Sequence, residues 1–230
     1  MSEPLSRRRF VGLFTAGTAL ILAAPLAAAT SMQTLSLPML GTTLALTLFD
    51  GGIADTARLK TAAAGISTRL LSLADREDRE IAREAARLTA LTDGLFSPAA
   101  APVRGASRFP SYGGFLQGRA IDETAALLHT LGIHRYRMEL GGVVTTSDPR
   151  PVSVGRVGIA SGVVHPVSGA PAKRYTLVEA EARTATEADA FATAFALMDS
   201  AHITRTLSRA GGGRVRLAHA DGRTQEMTVS

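Results

Sequence analysis

The chain has 230 residues, no cysteine, no tryptophan and a formal net charge of +5. Without thiols it can form no disulfide, thiolate metal site, covalent haem attachment or lipoprotein anchor, so the fold must rest on packing alone. Arg7, Arg8 and Arg9 and a single acid, Glu3, lie in the first 29 residues; the remainder therefore carries only +3 with no basic run, which argues against nucleic-acid binding.

Ser6-Arg7-Arg8-Arg9-Phe10-Val11 is a twin-arginine pattern, and the uncharged run after it ends in Leu26-Ala27-Ala28-Ala29, a small-residue cleavage site. Residues 1–29 are therefore expected to be a Tat-type export signal, with a single domain over 30–230 in the periplasm. The run is also about long enough to anchor the protein in the membrane if it is not cleaved.

Alternation over residues 42–49 predicts a half-buried strand. Two helices follow, over 55–73 and 76–92, the second with Glu77, Asp78, Glu80, Arg83, Glu84 and Arg87 on a solvated face; Asp93-Gly94 stops it. Residues 95–114 are rich in Pro, Gly, Ser and Ala and read as a long loop, a feature that is usually functional or mobile. A third helix is expected over 119–132 with Gly132 closing it, then a strand over 136–140 running into Gly141-Gly142. Short strands joined by tight turns are expected over 143–159, and another strand over 175–179. A helix over 184–200 and one over 203–209 come next. A hairpin closes the chain, with strands 214–218 and 224–229 and a turn at Asp221-Gly222. Of the five histidines, His129, His134, His202 and His219 show no metal-like spacing.

Thr184 and Glu187 have the spacing of a capping box, which makes the segment after them helical. Asp189 and Thr193 then lie one turn apart on one face, so that a carboxylate and a hydroxyl could share a small cation. Spacing alone leaves two readings open, a polar edge on an alanine-rich helix or a pair of ligands in a dry site.

Six local patterns occur in order. They are Met39-Leu40-Gly41-Thr42-Thr43, then Asp93-Gly94-Leu95-Phe96-Ser97-Pro98-Ala99-Ala100-Ala101-Pro102, then Gly113-Gly114-Phe115-Leu116-Gln117-Gly118-Arg119-Ala120-Ile121-Asp122. Gly141-Gly142, His165-Pro166-Val167-Ser168-Gly169 and Glu187-Ala188-Asp189-Ala190-Phe191-Ala192-Thr193 complete the series. In this order they resemble the ApbE-type FAD:protein FMN transferases over almost all of the chain after residue 29. The resemblance implies an α+β fold, one ApbE-like domain of mostly antiparallel sheet with helices packed against it. It also implies the family's reaction, in which FAD is split at its pyrophosphate, FMN passes to a threonine or serine hydroxyl of an acceptor flavoprotein, and AMP leaves. Carried over residue by residue, it implies Mg2+ held by Asp189, Thr193 and the main-chain carbonyl of Gly114. FAD would lie along Leu40, Gly41, Thr42, Ala99, Ala101, Ser111 and Gln117, and His165 is the candidate base toward the acceptor hydroxyl.

The chain departs from the family's pattern at Ser97 and Ala99, where a carboxylate and a hydroxyl are usual, at Ala192, where some members carry a second acid, and at Gly162, in the position of a histidine. Those departures motivate two alternatives to transfer onto an exported or membrane redox protein. One is an exported flavin-binding accessory protein without activity; the other is a metal-dependent FAD pyrophosphatase.

Overall fold

The computed structural model describes residues 32–49, 56–75, 79–98, 112–147, 151–158 and 161–230. The expected signal over 1–29 and the candidate FAD contacts Ala99, Ala101 and Ser111 lie outside the described residues. Among those described, no helix is long and apolar enough to cross a membrane.

Eight strands form one sheet in chain order, every pair antiparallel. They are β1 (Gln33–Met39), β2 (Thr42–Leu48), β3 (Tyr136–Leu140), β4 (Val143–Thr146), β5 (Val152–Gly158), β6 (Tyr175–Ala182), β7 (Gly213–His219) and β8 (Thr224–Val229). Three helices, α1 (Thr56–Asp75), α2 (Arg79–Leu91) and α3 (Tyr112–Thr130), are inserted between β2 and β3. Two more, α4 (Ala185–Phe195) and α5 (Ser200–Arg209), are inserted between β6 and β7. The α+β reading therefore holds, with one core.

The expected strand over 42–49 is only half of a hairpin. Leu35, Leu37 and Met39 alternate with Thr34, Ser36 and Pro38, and β1 pairs with β2 through a two-residue turn in which Leu40 (φ 52) and Gly41 (φ 75) are both left-handed. Such a turn matches the twist of the strands it joins. Pro38 hid β1 in the sequence; it is tolerated because β1 is an edge strand that needs no donor on its outer side.

One sheet face is apolar. Leu37, Met39, Leu44, Leu46, Leu48, Met138, Leu140, Val143, Val178, Val215 and Leu217 are buried there, and α1, α3 and α4 pack on the sheet. Helix α2 buries Ile81, Ala85 and Leu88, one stripe at helical spacing. The opposite face carries cross-strand ion pairs such as Arg156–Glu179 and Arg214–Glu226.

Helix α3 begins seven residues before the expected start at 119, so Gly113 and Gly114 lie in its first turn and not in a loop. Their low helix propensity is overridden by the burial of Phe115, Leu116, Ala120 and Ile121 directly after them. The helix expected over 184–200 stops at Phe195. Asp199 then starts α5 by accepting the His202 amide at 2.8 Å, which moves that helix's start to Ser200.

Candidate functional site

Helix α4 is almost wholly buried, with only Glu187 and Thr193 outside the buried class. Its first amides are satisfied from two directions. Thr184 Oγ1 accepts the Glu187 amide at 3.1 Å, the forward half of the expected capping box. Glu187 itself turns away to accept from Arg87 Nη2 at 2.9 Å. The remaining donors go to Asp122 of α3, whose carboxylate accepts the Ala185 amide (2.8 Å), the Thr186 amide (3.0 Å) and the Thr186 hydroxyl (2.6 Å). Burial pushes the Asp122 carboxyl upward, against the pull of those hydrogen bonds and of Arg119.

Glycines let α4 settle this deeply. A Cβ on Gly118 of α3 would stand 2.6 Å from Thr186 Cα, so the two helix backbones touch there. Gly155 of β5 does the same beneath α4, since a Cβ there would strike the Ala188 carbonyl. Gly118 and Asp122, one turn apart on α3, thus fix where α4 starts. Gly114 lies one turn before that contact on α3, and Asp189 one turn beyond it on α4.

Asp189 is the anomaly of this core. Its residue is 6 % exposed, and Oδ2 is buried without a hydrogen-bond partner. Burial alone pushes its carboxyl up to about 7. An ionised carboxylate in such a place costs several kcal/mol unless something positive meets it, roughly as any unpaired buried ion does. Thr193, one turn on, is half-buried. Asp189 itself is buried and not at a solvated edge of the helix. Among the described residues no group of three or more His, Cys, Asp or Glu side chains that could hold a metal is present. Gly114 is a helical residue in the first turn of α3.

The other sequence-derived candidates are distributed as follows. Leu40 donates its N–H to Ser67 Oγ of α1 at 2.9 Å, while Gly41 and Thr42 are exposed at the β1–β2 turn. Gln117 of α3 lies against Gly141, its side-chain amide filling the space a Cβ would take, and Gly142 abuts the Arg156 carbonyl. The Gly141-Gly142 pair is therefore a turn wedged between α3 and β5. His165 opens a turn in which its carbonyl accepts the Gly169 amide at 2.8 Å. Its Nδ1 accepts from Val167 N at 3.2 Å and Ser168 N at 3.4 Å, which leaves the neutral ring's proton on Nε2.

Two functional-looking groups escaped the sequence reading. Asp122 carries no chemical signal of its own in the sequence, although its place one turn after Gly118 puts it on that glycine's face of the helix. Asp93, left-handed at φ 51, is gripped by Arg209 of α5 through two 2.8 Å bonds and by His202 Nε2 at 2.6 Å. Arg209 first and His202 second hold its carboxyl down at about 2. Downstream of it, Phe96 is buried and packs on Phe115 in the start of α3, ring centroids 6.5 Å apart. No local signal links Asp93 to a helix more than a hundred residues away.

No protein-family model matches the sequence, and no curated protein sequence does. Solved structures do match in fold. The flavin transferase ApbE from Vibrio cholerae superposes with a TM-score of 0.68 at 17 % identity, covering 87 % of this chain and 97 % of that one. The Pseudomonas stutzeri flavinyl transferase ApbE in its apo form gives 0.70 at 14 %, with 88 % and 96 % covered. The ApbE protein of Thermotoga maritima gives 0.67 at 16 %, with 85 % and 96 % covered.

Proposed function

We propose, taking as premise that this chain has an ApbE-like fold, that it is an exported, Mg2+-dependent flavin transferase moving FMN from FAD to a threonine or serine hydroxyl of an exported redox protein. The observation that carries the reading is the buried, unpartnered Oδ2 of Asp189, one turn before Thr193 on a helix whose position two glycines and Asp122 define. A carboxylate and a hydroxyl are the hard oxygen donors that Mg2+ prefers, and a lone buried carboxylate lacks the positive charge such an ion brings.

Asp189 and Thr193 would hold the ion, with the start of α3 at Gly114 completing the wall. The bound ion would supply charge neutralisation on the phosphoryl oxygens. The protein's own part is positional. The buried alanines of α4 keep water from Asp189, Asp122 holds the first turn of α4, and the Leu40-Gly41-Thr42 turn and Gln117 border the flavin nucleotide. The acceptor oxygen bonds to the FMN phosphorus as the bond to the AMP phosphate breaks, and the hydroxyl proton leaves to solvent. His165 Nδ1 accepts two amides of its own turn, and the proposed step does not require it as a base.

A second reading, a flavin-binding accessory protein without activity, is favoured by one observation: burial alone acts on the Asp189 carboxyl, with no charged neighbour contributing. Incubation with FAD, Mg2+ and candidate acceptor domains separates the readings. Transfer predicts a fluorescent acceptor band and stoichiometric AMP, both lost in Asp189→Ala. FAD binding without AMP supports the accessory reading, AMP and free FMN without acceptor support a pyrophosphatase, and no FAD binding overturns all three.

A further inference from the structure

His129 and His134 are five residues apart, a spacing that on a continuous helix would turn them to different faces. The helix ends between them. Gly132 adopts φ 74, its amide donates to the His129 carbonyl at 3.0 Å, and the Ile133 amide donates to the Leu128 carbonyl at 2.9 Å. This left-handed ending turns the chain back on itself. The His134 ring is thereby laid beside that of His129, with centroids 5.5 Å apart and planes at 44°. Both residues are exposed. The Tyr136 hydroxyl lies 3.3 Å from His129 Nε2, and burial pushes its pKa upward, which keeps it a neutral phenol.

We propose that His129 and His134 form a surface site for a divalent transition-metal ion of the copper, nickel and zinc class, separate from the Asp189 region. Two imidazoles on one tetrahedral ion, with metal–nitrogen bonds of about 2.0 Å, bring their ring centroids to about 5 Å. The observed separation of 5.5 Å is close to that. The pair sits at the C-terminal end of α3, where the helix dipole favours a cation. Tyr136 supplies the outer contact usual for a metal-bound histidine, accepting from Nε2–H of His129 and leaving Nδ1 as the ligand. Among the described residues no third His, Cys, Asp or Glu completes the set, so water fills the other positions. Imidazole nitrogens select these ions over Mg2+, whereas the carboxylate and hydroxyl of α4 have the opposite preference.

The test is a Cu2+ titration of the full chain in saturating Mg2+, read by electron paramagnetic resonance and calorimetry. The expected result is a site with two nitrogen ligands, weakened by about tenfold or more in each of His129→Ala and His134→Ala. His202→Ala, which removes the histidine–carboxylate contact with Asp93, should leave it unchanged. Copper affinity untouched in both single variants, a spectrum without two nitrogens, or loss in His202→Ala alone would overturn the proposal. Unchanged thermal melting of the two exposed-site variants confirms that each remains folded.

Discussion

Asp189 makes the sharpest claim at the scale of a single residue. Its carboxyl is raised to about 7 in the folded protein, well above its value in an unfolded chain, so the folded state binds the proton more tightly. The sign follows directly: stability is full below about pH 4 and declines as pH rises through 7. Between pH 5 and 8 the metal-free protein should lose roughly 3 kcal/mol on the scale of 1.36 kcal/mol per unit. Chemical denaturation at the two pH values checks this, and Asp189→Asn should flatten the profile. Added Mg2+ should restore the wild type at pH 8 and do nothing for the variant. A wild-type profile that is flat without metal would show that Asp189 is already paired.

The contact between α3 and α4 carries the next prediction. Gly118→Ala would drive a methyl into the Thr186 backbone, and overpacking of this kind costs roughly 1–3 kcal/mol. Asp122→Ala removes the acceptor of two helix amides and a hydroxyl, and losing a cap costs about 0.5–2 kcal/mol. Thermal melts should show both losses, and because both changes act on one contact they should be less than additive in the double variant. The sequence revealed much of this architecture and little of its tertiary contacts. Alternation exposed β2, and the capping pattern located α4, because both signals are local. The helix start at Tyr112 stayed hidden because two glycines and a tyrosine carry no start signal; only the packing of Phe115 makes them helical. The depth of Asp189 was equally illegible, since burial depends on Gly118 and Gly155 approaching α4 from two other elements.

For the whole molecule, the Asp93 clamp ties the end of α2 to α5 across the fold. Arg209→Ala should release the Gly94–Phe96 turn, seen as faster amide hydrogen exchange there, while α4 amides keep their protection. Equal acceleration in both places would mean that α5 supports the entire core. The order of the sheet bears on how the protein reaches this state. Each strand pairs with its neighbour in sequence, so four of the seven pairings close short loops and form early at small entropic cost, and the β5–β6 pairing closes a longer one. Only β2–β3 and β6–β7 must wait for long insertions, and both insertions deliver helices to the α3–α4 contact. The last step of folding is then the docking of those helices, which makes the surroundings of Asp189 the latest part of the protein to assemble.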